Sequence, residues 1–224
     1  MALVTYTILG IGVAADNSHR RTVSTRRKRP SQQRSRATYD AILEAATRVF
    51  ASEAMAATTN RIADEAGVSV GSLYQYFGDK YEILSELANR HVSAARESFA
   101  LCLADIVERE LTPEEAVRML VECAVEVNSK PREFFHLLYD QVPRTRELIE
   151  QVEEMNRQLV LGFSERLQSH GFSAEDALLT SRLTVTAVDS QVHRVVLESD
   201  SPEELRVRTE AVVRHARSMI GSQP

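Results

Sequence analysis

Glycine and proline are scarce in this chain, 8 and 6 among 224 residues. A turn-rich all-β protein of this size needs more of both, because those residues punctuate its reversals. Tryptophan is absent, and there are only two cysteines, Cys102 and Cys123. They form no CxxC, so neither a zinc site nor a disulfide framework is expected. Both fall inside apolar helical patterns and read as reduced, core-packed thiols of a cytoplasmic protein. A redox role needs a more electropositive, accessible setting. No run of about 18 apolar residues exists, so no membrane-spanning helix is expected and no membrane partner. HExxH, GxSxG and P-loop patterns are all missing. The six histidines, at 19, 91, 136, 170, 193 and 215, are scattered rather than set at metal-ligand spacing. The chain therefore reads as a non-enzyme with no cofactor and no metal.

What is present points to helices. Ala, Leu, Glu and Arg dominate, and these are strong helix formers. The formal net charge of −5 conceals an asymmetry. Residues 1–37 hold eight Arg and Lys against Asp16 alone, a net +7, which leaves −12 for residues 38–224. That is the pattern of a basic arm on an acidic body, although a basic run by itself is equally a solvated tail. Residues 1–33 are expected to be disordered in the free protein. The stretch Leu9-Gly10-Ile11-Gly12-Val13-Ala14-Ala15 mimics a dinucleotide fingerprint, but a Ser/Arg-rich segment follows where a helix is required, so the match reads as chance. The first fifteen residues lack the leading charges of a signal peptide and read as a leader or as residues added by an upstream start codon.

From Arg34 the period becomes helical. Ile42, Ala46, Val49 and Phe50 share one face of a helix over about 35–52. A short helix follows over 59–66, with Thr58 or Thr59 as its cap, and Gly67 ends it. Ser69 caps a third helix over 70–76. Asp79 and Glu82 have capping-box spacing and open a fourth. Further helices are expected over about 93–108, 113–129, 131–141, 144–169, 174–198 and 202–219, several beginning at a proline. The fold class is thus all-α: a three-helix domain over 34–90, then a larger helical domain over 91–224.

The segment Thr58 to Phe77 has the layout of a helix-turn-helix. Ile62, Ala66, Val68, Leu73 and Phe77 are apolar and have to be buried; Ala63 is small enough for two helices to cross closely. The rest of the third helix is polar or small and carries no acid, so it would not repel phosphate. Such a face fits a DNA major groove, with the basic arm just upstream. A plain helical hairpin inside a core is the competing reading.

The stretch TTNRIADEAGVSVGSLYQYFGDKYEIL closely resembles the DNA-binding domain of the TetR family of bacterial repressors, over about residues 35–90. The resemblance implies contacts to double-stranded DNA from Arg36, Thr58, Thr59, Arg61, Ser69, Val70, Gly71, Ser72, Tyr74, Gln75, Tyr76 and Lys80. Thr58, Thr59, Tyr76 and Lys80 are implied on phosphates, Ser72, Tyr74 and Gln75 in the groove, and Gln75 is suited to adenine. One departure stands out: Ala54 and Met55 occupy the place where the family usually has Gly and an aromatic, and Ala is expected to strain that turn.

The resemblance also implies a homodimer on a palindromic operator and an effector pocket. Leu178, Val185, Val188, Val192, Val212, Val213, Ala216 and Met219 are the expected dimer interface, because a helix apolar on every side needs cover on every side; burial within the chain's own bundle is the competing reading. Phe99, Met119, Cys123, Phe134, Phe135, His136, Tyr139, Met155 and Phe163 are candidate pocket residues for an unknown small-molecule effector, each equally serviceable as plain core. A repressor released by that effector is the expected function; a helical adaptor or an activator of the same fold is the alternative.

Overall fold

A computed structural model describes residues 33–128, 138, 141–196 and 198–221. The basic arm, the fingerprint-like stretch, and most of the helix expected over 131–141 lie outside the described residues. Among those described, the architecture is helical with no strand: α1 (Gln33–Glu53), α2 (Thr59–Glu65), α3 (Val70–Tyr76), α4 (Lys80–Glu108), α5 (Pro113–Asn128), α6 (Arg146–Gln168), α7 (Ala174–Gln191) and α8 (Pro202–Ile220). A 3₁₀ turn (Ala54–Ala56) follows α1, and α7 runs on into one π turn (Val192–Val196).

Side-chain caps start these helices where the sequence supplies them. Thr58 accepts from the Arg61 amide and Ser69 from the Ser72 amide. Ser173 and Ser201 accept from Asp176 and Glu204 in the same way. Each satisfies an amide that has no partner inside its helix. Thr112 and Glu115 form a reciprocal box before Pro113, the Glu115 carboxylate accepting from the Thr112 amide at 2.8 Å. Asp79 accepts from the Tyr81 and Glu82 amides at 2.8 and 2.9 Å, while the Glu82 carboxylate reaches one residue further back, to the Gly78 amide. Gly67 and Gly171 have φ of +66° and +94°, the left-handed backbone that ends a helix at least cost in glycine.

Two boundaries differ from expectation. The fourth helix and the one expected over 93–108 are a single 29-residue helix, α4. No Gly or Pro interrupts 80–108, and Ala88, Val92, Ala95, Phe99, Cys102 and Ile106 stay buried along it. The helix expected over 174–198 instead changes to π geometry after Gln191.

The described residues form two compact units: the first runs to Arg90 and takes in 138 and 141–145, and the second holds 91–128 and the residues from Arg146 on, so one boundary falls within α4. The core of the first contains Ile42, Leu43, Ala46, Val49, Phe50, Ile62, Ala63, Leu73, Phe77, Ile83 and Leu84. Tyr39 stacks on Phe77, ring centroids 4.9 Å apart. The core of the second joins the later part of α4 to α5, α6, α7 and α8 through Phe99, Val117, Val121, Met155, Phe163, Val188, Val192, Val213 and Ile220. Arg118 on α5 makes a two-pronged ion pair with Glu210 on α8, at 2.6 and 2.9 Å. No described helix is long and apolar enough to cross a membrane.

Candidate nucleic-acid interface and ligand cavity

In the first unit, α2 and α3 are held by few side chains. Ile62, Ala63 and Leu73 are fully buried and Phe77 nearly so. The turn between them closes through backbone bonds from Gly67 to Asp64 and from Val68 to Ala63, at 3.1 and 3.0 Å. With Leu73 and Phe77 taken inward, the other side of α3 faces out. Gly71, Tyr74 and Gln75 are exposed, and Val70, Ser72 and Tyr76 are half-buried. Nothing lies closer than the Ser69 hydroxyl, 3.9 Å away, to the place a Gly71 Cβ would take, so the backbone there is open to a close approach.

The hydroxyls around this face are organised. Thr59 Oγ1 and the Tyr74 hydroxyl are 3.0 Å apart, linking the first turn of α2 to the middle of α3. The Tyr76 hydroxyl is 2.9 Å from Ser35 Oγ at the start of α1. Tyr76 and Tyr39 meet edge to face, centroids 5.9 Å apart. None of the Tyr39 contacts follows from its place in the sequence, although an aromatic one turn before Ile42 is a signal for it. Arg36 is exposed on α1.

Two cations stand differently from the simple expectation. Arg61 is exposed but bridges Glu53 at 3.0 Å and Glu65 at 3.7 Å. Lys80 donates to the Met55 and Ala57 carbonyls, at 2.6 and 3.2 Å, and so clamps the turn after α1. That turn contains Ala54 at φ +47°, a backbone that a Cβ disfavours by about 1–2 kcal/mol. The strain expected of Ala54 is therefore present, and Lys80 holds the carbonyls beside it.

In the second unit there is a cavity of ≈ 30 Å³, room for a water or two as it stands. Its walls include Phe99, Val117, Leu120 and Leu159, with Asn128, Thr184, Asp189 and His193 as polar members. Among the pocket candidates from sequence, Phe99 lines it. Met155 and Phe163 are buried core, and Met119 and Cys123 pack against that core. Phe134, Phe135, His136 and Tyr139 lie outside the described residues. Cys102 and Cys123 are both free thiols, the first buried and the second half-buried. They hydrogen-bond each other, which with burial raises the Cys102 thiol and, from the other side, lowers that of Cys123.

The expected dimer stripe needs the larger correction. Val185, Val188 and Val192 line the cavity, and Val212, Val213 and Ala216 are buried in the chain's own core. Met219 is half-buried. The stripe on α8 packs into a core shared with α5, α7 and the π turn, and Arg118 with Glu210 joins α8 to α5. Of the expected set only Leu178 is exposed, at 36%; beside it on α7 and α8 the uncovered apolar residues are Leu179, Leu183 and Val207, at 57%, 54% and 52% exposure. On a helix apolar all round, periodicity cannot tell which side its own chain covers.

Charge in the cavity is arranged as a pair. His193 Nδ1 lies 3.3 Å from an Asp189 carboxylate oxygen and 2.9 Å from the Asp189 carbonyl. Burial pushes the Asp189 carboxyl up to about 6. Burial also pulls the His193 imidazole down, but the hydrogen bond and charge of Asp189 outweigh it and leave His193 raised. His91, on α4, is pushed down to about 4 by burial, partly opposed by its hydrogen bond to Asn128. The clue in the sequence was Thr184, Asp189 and His193 interleaved with Val185, Val188 and Val192.

The description "Bacterial regulatory proteins, tetR family" matches residues 42–87, and "Tetracyclin repressor-like, C-terminal domain" matches residues 112–220. This chain belongs to the TetR family of transcriptional regulators. Solved structures agree with this TetR fold. A TetR/AcrR family regulator from Thermobifida fusca superposes with a TM-score of 0.63 at 20% identity, covering 84% of this chain and 98% of that one. The regulator PfmR from Thermus thermophilus gives 0.60 at 18%, over 82% and 98%. The regulator FadR from Bacillus subtilis, in complex with stearoyl-CoA, gives 0.59 at 19%, over 81% and 98%. No curated protein sequence matches the chain. As a TetR regulator it carries the family's DNA-binding helix-turn-helix in α2 and α3.

Proposed function

We propose that this regulator is a cytoplasmic repressor that sits as a homodimer on a palindromic operator and leaves it when a small molecule binds the larger domain. Residues 1–33 act as a basic arm, 34–90 as the DNA-binding domain, and 91–224 as the effector-binding and dimerisation domain. The observation that carries the reading is the outward face of α3: Gly71, Tyr74 and Gln75 are exposed and free of acids, while Leu73 and Phe77 anchor the helix from behind. Such a face enters a major groove, where an amide side chain pairs with adenine through two hydrogen bonds. Ser72 joins Tyr74 and Gln75 in that groove, Ser69 and Val70 lie at its entry, and Thr58, Thr59 and Tyr76 border it on the phosphate side, with Arg36 from α1 beside them. Arg61 joins them by exchanging Glu53 for a phosphate, and Lys80 with the ammonium hydrogen its two carbonyls leave over.

The exposed leucines of α7 and Val207 of α8 support pairing of two copies, since apolar surface of this kind is costly in water. A two-fold dimer then requires a two-fold operator, with half-sites about one helical turn apart or a multiple of it. That a structural neighbour holds stearoyl-CoA supports an effector-responsive larger domain here. Release follows if the effector prefers a state with differently spaced recognition helices.

A footprint on DNA upstream of the gene, with gel shifts at rising salt, tests the reading. A protected palindrome and an affinity that falls steeply with salt are expected. A single, unrepeated half-site, or binding indifferent to salt, would overturn it. Sedimentation of the free protein as a monomer would remove the dimer.

A further inference from the structure

The cavity wall contains more polarity than a hydrophobic core needs. Asp189 is 5% exposed and Thr184 is 1% exposed, and both line it. The His193 ring serves one oxygen of the Asp189 carboxylate. The other, Oδ2, has no hydrogen-bond partner among the described residues, and neither has Thr184 Oγ1. An acceptor buried without a partner is costly, and folds rarely keep two of them at one place without a bound water or ligand to satisfy them. The helix is also irregular here. The π turn that carries His193 begins immediately after Gln191, and isolated π turns recur at functional sites.

Asn128, whose Oδ1 also lacks a partner, and His193 complete the polar wall, and the remainder is hydrocarbon, including Phe99, Leu120 and Leu159. An apolar sleeve with converging acceptors is the usual form of a small-molecule site. The sign of the charge narrows the class. Among the described residues, the basic groups at this cavity are imidazoles, and neither suits an anion. His193 is held by Asp189, and His91 stays neutral against Asn128. An incoming carboxylate would therefore meet Asp189 with no free cation among the described residues to receive it, whereas an ammonium group would meet open oxygens.

We propose that the effector of this regulator is a lipophilic amine whose ammonium group docks on Asp189 Oδ2 and Thr184 Oγ1 while its hydrocarbon lies along Phe99, Leu120 and Leu159. This rests on the effector-responsive reading above and adds to it the ligand's chemistry. The cavity is smaller than such a molecule, so entry pushes apart the side chains that close it. A ligand that requires the opened state draws the population toward that state.

The test uses the full-length protein with octylamine, octanoate and 1-octanol as probes, followed by calorimetry and thermal shift. Octylamine is expected to bind saturably and raise the melting temperature, with octanoate at least tenfold weaker. Asp189→Asn and Thr184→Val are each expected to weaken octylamine at least tenfold. Asp189→Asn is expected to leave 1-octanol within a factor of about three. Thr184→Val keeps the shape of the side chain and bears the test alone if Asp189→Asn does not fold. No octylamine binding, octanoate binding as tightly, or variants that bind octylamine unchanged would each overturn the proposal. A gel shift of the wild-type protein alongside separates the readings. With DNA bound and octylamine ignored, the ligand class fails alone; with octylamine bound and no DNA bound, the regulator reading fails and the site stands.

Discussion

The helix-turn-helix and α7 are equally helical but are sorted by opposite rules. In α2 and α3 the apolar Ile62, Ala63, Leu73 and Phe77 are inside and the polar Tyr74 and Gln75 are outside. In α7 the polar Ser181, Thr184 and Asp189 are buried, while Leu179 and Leu183 face solvent. The first arrangement is what the hydrophobic effect alone produces. The second violates it twice in one helix, and both violations have a use under the readings above: the buried oxygens for a ligand, the bare leucines for a second copy. Where a fold keeps groups on the unfavourable side, function is the usual reason.

This contrast can be broken experimentally, starting with the largest expected effect. Leu73→Ala empties a fully buried site in the helix-turn-helix and should cost about 2–5 kcal/mol. Urea melts should show the loss, and DNA binding should disappear with the fold of that unit. If Leu73→Ala melted as the wild type does, the two regions would not differ as described. A somewhat smaller effect belongs to the second unit. His91 titrates near 4 in the fold and near 6.5 once unfolded. As pH falls below 6.5 the unfolded chain takes up a proton that the folded one refuses, so this residue should cost about 2–3 kcal/mol of stability by pH 4. Asp189, raised to about 6, binds its proton earlier in the fold and offsets part of that loss between pH 6 and pH 4. Urea midpoints at pH 7 and pH 4.5, for the wild type and His91→Gln, separate the two; an unchanged pH slope in His91→Gln would contradict the assignment.

Gln75→Ala sharpens the comparison from the other side, because an exposed residue should matter to binding and not to folding. Operator affinity is expected to fall by about 1–3 kcal/mol, with relaxed preference at one base pair, and the melting temperature is expected to hold. A lowered melting temperature with unchanged affinity would mean that Gln75 supports the fold. Smallest is Ala54→Gly. It relieves a left-handed alanine at φ +47° and should stabilise the first unit by about 0.5–1 kcal/mol in thermal melts. Destabilisation would show that Lys80 and the neighbouring turn, not the alanine, set that backbone.

The helix-turn-helix was legible almost to the residue, because every signal in it is local. Ser69 caps within its own turn, Gly67 reverses the chain within four residues, and Leu73 lies opposite Gln75 on one short helix. The cavity was mostly illegible. Phe99 was expected in it, but Val185, Val188 and Val192 were expected to face a partner copy. Their periodicity is that of a helix apolar on every side, and such a helix carries no record of which neighbour takes which side. The same limit explains Val212, Val213 and Ala216, a correctly read stripe given to the wrong neighbour. Lys80 and Arg61 were read as charges awaiting phosphate, since sequence position does not reveal a carbonyl or carboxylate brought close by folding.

By itself, then, the order of residues determined the helical class, the caps, the turn at Gly67 and the recognition helix with its exposed face. Those depend on interactions spanning a few residues, which are written consecutively. Only the tertiary structure decided that α4 is one helix, that the chain's own core covers the stripe on α8, and that Thr184, Asp189 and His193 meet Phe99 and Asn128 in one cavity. Those outcomes depend on which of several apolar faces pack together, a choice made by shape and volume across distant segments.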